Sequence, residues 1–414
     1  MLKTIGGVRS GDRYPTATTR CWTRLLVAGL GCVLAAACTT STDRQAATGT
    51  SQASAGATQR DYWPTAGWRT AAPAEQGMDP AVLDDLDTIV PESYPQVRSV
   101  LVVRHGYLVY ERYWQGVDAG DGHNSFSVTK SFTSALVGIA LDDGKLKGLD
   151  QTVEELLADH LPANADPRLR QVTLKQLLTM TSGLAGDDST LGGDDDSWIE
   201  MLKSPDWVRH ILSQPLVSAP GAEFAYTDKN AHLLSAIVAD ATSQSTLAYA
   251  RAKLFGPLGI ATDNALQQTI SHWPLTPAEL EAYEQAPVAW PRDPQGYHVG
   301  GSFLRLPARD LAKLGYLYLN GGRWDSTQVV PADYVAASTQ PQSDPTMGPG
   351  DYGYLWWVTN ETGHDSFRAM GFGGQLIQVI PDLDLVVVIT SDADQGRYDA
   401  PNLVGAVIVS AVSG

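Results

Sequence analysis

Aliphatic, β-branched runs lie towards both ends of this chain, and helical patterning fills the space between them. Ser99-Val100-Leu101-Val102-Val103 predicts a strand over Val97–Arg104, His105-Gly106 predicts a turn, and Tyr107–Trp114 predicts the returning strand. Far downstream, Tyr352–Val358, Leu376–Ile380 and Leu383–Ile389 predict further strands, followed by a small-residue helix over Ala400–Val412. The intervening segments read mainly as helices. These are a long one from Val128, short ones at Leu156-Leu157 and Leu174–Leu178, then Trp207–Leu212, Ala231–Ala241, a mostly helical stretch over Leu266–Gln285, and Pro307–Leu319. A helix is also expected over Asp79–Ile89, from Leu83, Leu86 and Ile89. Such an order predicts one sheet layer with a helical part inserted into it.

The chemistry-bearing stretch is Phe126-Ser127-Val128-Thr129-Lys130-Ser131-Phe132. In a helix over Val128–Leu141, Ser127 and Lys130 project from one face near the first turn. Phe132, Ala135, Leu136, Ile139 and Ala140 recur at helical spacing and support that helix. A serine there has its N–H at the positive end of the helix and an ammonium beside its hydroxyl, which suits a nucleophile that must lose a proton. Ser-x-x-Lys by itself is a short pattern that chance also produces.

The chain has 414 residues, 43% of them hydrophobic and 18% charged, enough for a sizeable core. Its three cysteines, Cys21, Cys32 and Cys38, all fall in the first 38 residues, so no disulfide or thiolate metal cluster is expected in the body. Residues 1–37 carry Lys3, Arg9, Arg13, Arg20 and Arg24 against Asp12 alone, leaving the rest more acidic than the net −17. That charge offers no footprint for nucleic acid or an anionic membrane surface.

Arg20 and Arg24 precede the apolar run Leu25–Leu34, which ends in Ala35-Ala36-Ala37-Cys38. This predicts an export signal over residues 1–37. Cys38 is a candidate for lipidation, and a plain small-residue cleavage site is the alternative. Residues 38–61, rich in Ser, Thr, Ala and Gly, predict a flexible tether. The folded body is expected over 62–414, with an α/β part at about 66–134 and 302–414 and a helical part at about 135–301. The glycine- and aspartate-rich stretch Asp187–Asp196 lacks the spacing of a known calcium loop and reads as solvated.

Further motifs follow the serine in order: Met180-Thr181-Ser182-Gly183-Leu184, Phe224-Ala225-Tyr226-Thr227-Asp228, Leu254–Ile260, Tyr352-Gly353-Tyr354-Leu355-Trp356-Trp357 and Gly371-Phe372-Gly373-Gly374-Gln375. From about Trp68 to the C-terminus, the chain resembles the serine β-lactamase and penicillin-binding-protein superfamily. Within it the likeness is to the class C-like branch, which includes family VIII esterases and 6-aminohexanoate-dimer hydrolases. The resemblance implies an α+β, β-lactamase/transpeptidase-like fold, an antiparallel sheet flanked by helices with an inserted helical domain. It also implies acylation of Ser127, proton handling by Lys130 and Tyr226, and an oxyanion hole made by the N–H groups of Ser127 and Phe372. D-alanyl-D-alanine carboxypeptidase or β-lactamase activity remains an alternative to ester or amide hydrolysis. So does a catalytically silent, cell-wall-binding homologue.

Two departures stand out. Family members ordinarily carry asparagine two residues after the tyrosine, where this chain has Asp228. The third family motif, normally Lys-Thr-Gly or His-Thr-Gly, aligns with Ala369-Met370-Gly371, so its cation is missing. Arg368 is predicted by strand alternation to face the other way. Asp228, Gly371, Trp290 and Trp356 are therefore the expected substrate-binding residues, with Phe372 walling an apolar pocket alongside the two tryptophans; a place in the aromatic core is the alternative for each tryptophan. His123 and His298 are expected at the surface or in turns. The eight histidines form no His-x-x-x-His pair and stand with no carboxylate cluster, so no metal and no cofactor is expected.

Overall fold

A computed structural model describes residues 60–187, 195–346, 348–393 and 397–413. The segment predicted as export signal and residues 38–59 of the predicted tether, including Cys38, lie outside the described residues, as does most of the stretch after Asp187. Arg60, expected in the tether, belongs instead to the folded body, because its guanidinium donates to Asp384 at 2.6 Å and to Asn320 at 2.7 Å.

Among the described residues, seven strands form one antiparallel sheet. They are β1 (Val97–Arg104), β2 (Tyr107–Tyr113), β3 (Asp351–Tyr352), β4 (Trp357–Glu361), β5 (His364–Gly371), β6 (Gln375–Ile380) and β7 (Leu385–Ser391), in the spatial order β2-β1-β7-β6-β5-β4-β3. The two ends of the folded chain meet at the centre, where Val100 pairs with Ile389 and Val102 with Val387. Both faces of the sheet are covered. Leu101, Val103, Ile377, Val379, Val386 and Val388 face the large helical core. Val100, Val102, Leu376, Val387 and Ile389 pack beneath α1 (Pro80–Asp84), α2 (Leu86–Ser93) and the C-terminal helical turns. Burial on both faces explains why β1 and β7 read as continuous apolar runs rather than alternating ones.

Helix α3 (Val128–Asp142) is buried on every side from Val128 to Ala140. Its hydroxyls therefore need partners inside the protein. Ser131 Oγ donates to the Leu355 carbonyl at 2.7 Å, Ser134 Oγ to that of Tyr354 at 2.6 Å, and Thr133 Oγ1 to that of Gly300 at 2.8 Å. The polar residues that dilute the helical pattern are thus what tie two chain segments, at Tyr354-Leu355 and at Gly300, to the central helix.

Several boundaries differ from expectation. The Asp79–Ile89 helix is two helices, α1 and α2. Only Pro277–Gln285 of the Leu266–Gln285 stretch is helical; the part before it pairs by isolated bridges, Leu266 with Ala289 and Thr269 with Arg292. The strand expected over Tyr352–Val358 is broken by a turn in which Leu355 takes φ 59°, a turn that brings carbonyls to α3. The last strand begins at Leu385 because Asp384 closes a left-handed turn at φ 46°.

The end of β5 presses directly against the residues before Ser127. A Cβ built on Gly371 would lie 2.3 Å from the Ser125 carbonyl oxygen. Glycine there lets the sheet edge reach the turn that carries Ser127. Gly371→Ala should cost about 1–3 kcal/mol of unfolding free energy by overpacking and lower the acylation rate. Denaturant melts alongside ester turnover check both effects.

Candidate active site

The turn into α3 places the serine. Asn124 Oδ1 accepts the Phe126 N–H at 3.0 Å, and Phe126 takes φ 46°, a conformation uncommon for a bulky side chain. Ser127 follows as the residue that opens α3, partly exposed. Lys130 lies one turn on, only 1% exposed. Its Nζ donates to Ser127 Oγ at 2.9 Å, to the Gly301 carbonyl at 3.0 Å, and to Asp228 Oδ1 in an ion pair. An ammonium has three protons, and here three acceptors receive them. Gly301 must be glycine for this, because a Cβ there would sit 2.7 Å from Asp228 Oδ1.

Asp228 is the first residue of α4 (Asp228–Thr242). Tyr226 stands just before it, 7% exposed, with its ring centroid 4.8 Å from Lys130 Nζ. The ring stacks on Trp357 at 5.8 Å and meets Tyr352 edge-on at 6.1 Å, so the sheet edge β3–β4 frames it. Met180-Thr181-Ser182 supports the tyrosine loop from behind. The Ala225 N–H donates to the Met180 carbonyl at 2.8 Å, and Ser182 Oγ to Asn230 Oδ1 at 2.8 Å.

Asp187 is the site residue that sequence reasoning missed, because its loop reads as solvated. It is 8% exposed. Its carboxylate accepts the Thr227 hydroxyl at 2.6 Å and the Asp228 N–H at 3.0 Å, while its own N–H donates to the Tyr226 carbonyl at 3.1 Å. It clamps Tyr226-Thr227-Asp228 at both ends. Burial pushes its carboxyl up to about 7, and the charge of Asp228 adds to this. The Thr227 hydroxyl and the ammonium groups of Lys229 and Lys130 act in the opposite sense.

On the sheet side, Phe372 follows Gly371, and among the described residues no acceptor pairs with the N–H of Ser127 or of Phe372. Gly371 packs against Ser125 and the Phe372 ring meets Phe126, so both donors belong to one corner of the site, and two unengaged donors are what a developing oxyanion would need. Ala369 faces the α3 side with Ile377 and is buried, so the family cation has no counterpart at that position. Arg368 pairs across from Gln378, one residue out of phase with Ala369, and its nearest carboxylate is Glu361 at 3.8 Å. Burial lowers its guanidinium below the ordinary value.

The two tryptophans expected to bind substrate do not line the site. Trp290 is fully buried, donates Nε1–H to the Val299 carbonyl at 2.9 Å and packs on Phe255 and His298. Trp356 is fully buried against Tyr318 and Phe367. Trp357, its neighbour in sequence, is the ring that reaches Tyr226. His298, expected at the surface or in a turn, is fully buried and pairs by an isolated bridge with Arg292, and burial pushes its imidazole down to about 3. His123 is partly buried and is pushed down to about 4 by the same cause.

A family model described as Beta-lactamase matches residues 96–407. The chain belongs to the beta-lactamase family. Members of this family are serine hydrolases, and the chain falls within the serine β-lactamase and penicillin-binding-protein superfamily. The 6-aminohexanoate-dimer hydrolase of Paenarthrobacter ureafaciens is 25% identical over 351 residues, covering 78% of this chain and 81% of that protein. Protein flp of Staphylococcus aureus strain COL is 27% identical over 179 residues, 41% of this chain but only 35% of flp. Among solved structures, EstCE1, a hydrolase with promiscuous acyltransferase activity, superposes with a TM-score of 0.61 at 19% identity, covering 81% of this chain and 98% of EstCE1. The octameric penicillin-binding protein homologue from Pyrococcus abyssi gives 0.60 at 21% identity, covering 80% and 77%. At such identities these two structures speak to the β-lactamase/transpeptidase-like fold.

The Asp187 carboxyl yields a pH test. Its raised value means that the anion clamping α4 is present above about pH 7 and is lost as pH falls through it. Ester turnover should therefore drop below about pH 7, and Asp187→Asn should remove that limb from the kcat profile. For stability the sign reverses. A folded-state value above the ordinary 3.8 makes ionised Asp187 a cost that grows from about pH 4 to pH 7, so wild type should lose stability relative to Asp187→Asn over that window. Denaturant titrations at pH 4, 5.5 and 8 check it.

Proposed function

We propose that this family member is an exported serine hydrolase that cleaves neutral ester or amide bonds through an acyl-enzyme on Ser127. The observation that carries this reading is the 2.9 Å contact between Lys130 Nζ and Ser127 Oγ at the start of a buried helix. Ser127 Oγ attacks the scissile carbonyl carbon while Lys130 and Tyr226 take up its proton, and the N–H groups of Ser127 and Phe372 hold the oxyanion. The bond to the leaving alcohol or amine breaks, and that group receives the proton. Water then attacks the acyl-enzyme by the same route, restoring the Ser127 hydroxyl and releasing the acid.

Asp228 extends the family scheme. An ammonium that already donates three hydrogen bonds has no lone pair with which to take the serine proton. Lys130 therefore takes that proton as the neutral amine, and the ammonium so formed has a carboxylate partner in Asp228, which an asparagine cannot provide.

The missing cation governs substrate choice. Penicillins and D-Ala-D-Ala peptides carry a carboxylate close to the scissile carbonyl. The family lysine or histidine meets it with a charge-assisted contact worth about 1.5–3 kcal/mol, about 10- to 150-fold in relative transition-state binding. Ala369 and Met370 supply no such contact, whereas a neutral ester loses nothing by the change. A fluorophosphonate probe should label wild type but not Ser127→Ala, read by intact mass. Short-chain aryl esters should be hydrolysed with a higher kcat/KM than any cephalosporin. Labelling of Ser127→Ala at the wild-type rate refutes the nucleophile, and a cephalosporin preferred over such an ester refutes the substrate class.

Export rests on the Leu25–Cys38 pattern. The mature chain should begin at Cys38 and partition into detergent, and Cys38→Ser should release or misprocess it. N-terminal sequencing and phase partitioning check this, and a cytosolic protein beginning at Met1 overturns it.

A further inference from the structure

Among the described residues three large hydrophobic side chains stand well exposed: Val217, Phe372 and Tyr398. Two of them form one patch. Phe372 and Tyr398, each 46% exposed, meet edge-to-face with ring centroids 5.1 Å apart. Phe372 also packs on Phe126 at 5.6 Å, which extends the aromatic surface to the residue before the nucleophile.

The turn that presents Phe372 is braced. The Gln375 side chain, 1% exposed, donates to the Phe372 carbonyl at 3.3 Å and to the Ser391 carbonyl at 2.6 Å, while its Oε1 accepts the Ser391 N–H at 3.0 Å. Gly373 takes φ 79°, and a Cβ there would fall 2.6 Å from Ala393 Cα. The phenyl ring is therefore held in the open by a buried amide and a close-packed turn. Exposing such a ring forgoes hydrophobic stabilisation that a polar side chain at the same place would not forgo.

We propose that Phe126, Phe372 and Tyr398 form a subsite for a neutral, planar aromatic group of the substrate. This deepens the hydrolase reading given above and rests on it. The occupant follows from position. The backbone N–H of Phe372 is one of the two donors beside Ser127, so a substrate whose carbonyl oxygen lies there carries its substituents past the Phe372 ring. The buried Ala369 on the same strand brings no cation to that side, which leaves ring stacking and edge-to-face contact as the available recognition. The substrate class is thus an aromatic ester or amide without a carboxylate next to the reacting bond.

The test compares selectivity, so that the intrinsic reactivity of each ester cancels between proteins. Wild type, Phe372→Ala and Tyr398→Ala are assayed on trifluoroethyl acetate, phenyl acetate and trifluoroethyl benzoate. Alanine at 372 keeps the backbone N–H. The aryl-over-alkyl ratio of kcat/KM should fall about tenfold in each variant for at least one aryl ester. A fall with phenyl acetate places the ring on the leaving side, and one with trifluoroethyl benzoate places it on the acyl side; either supports the subsite. Equal losses on all three esters, with the ratio unchanged, overturn it. If wild type turns over none of them, the hydrolase reading itself has failed, a different outcome from an unchanged ratio.

Discussion

A buried ammonium holds this site together. Lys130 sits inside the protein with one proton for Ser127 Oγ, one for Asp228 and one for the Gly301 carbonyl. A buried cation is tolerated only when paired and fully hydrogen-bonded, so three distant stretches of chain must arrive at one point. Helix α3 supplies the lysine and serine, α4 the carboxylate, and the Gly300-Gly301 turn the carbonyl. Each arrival has its own requirement. A Cβ on Gly300 would fall 2.0 Å from the Ala231 carbonyl oxygen, and one on Gly301 would strike Asp228.

The negative side of the cluster is as constrained as the positive side. The Asp228 charge disfavours ionisation of Asp187, and the ammonium groups of Lys229 and Lys130 oppose that effect. Placing Asp187 under the first turn of α4 stabilises that helix end, since its carboxylate accepts an otherwise orphaned N–H. The same carboxylate is costly to ionise where it lies. The clamp on the tyrosine loop and the proton chemistry of the site therefore share one group.

The sheet contributes reach. Strand β5 ends in glycine against Ser125, and the next residue turns its ring outward while its N–H is left without an acceptor among the described residues. Ala369 stands where the family motif carries its cation, and a side-chain change there leaves the backbone N–H of Phe372 as it is. Arg368 does not compensate, because pleating puts it on the opposite face of β5.

Much of this was legible in the residues alone. The i, i+3 spacing of Ser127 and Lys130 carried their contact, since helix geometry is local. The aliphatic runs of β1 and β7 announced buried strands, and alternation along β5 told Arg368 from Ala369. What the sequence could not decide were contacts between distant segments. Trp356 and Trp357 are adjacent and chemically alike, yet packing buries one in the core and sets the other against Tyr226. Asp187 sits in a stretch whose composition reads as solvated, and only the approach of α4 makes it a buried clamp. Local periodicity determined the elements and the Ser127–Lys130 contact, whereas the environment of each charge and ring was settled by which segments met around it, because burial and pairing are properties of the assembled fold.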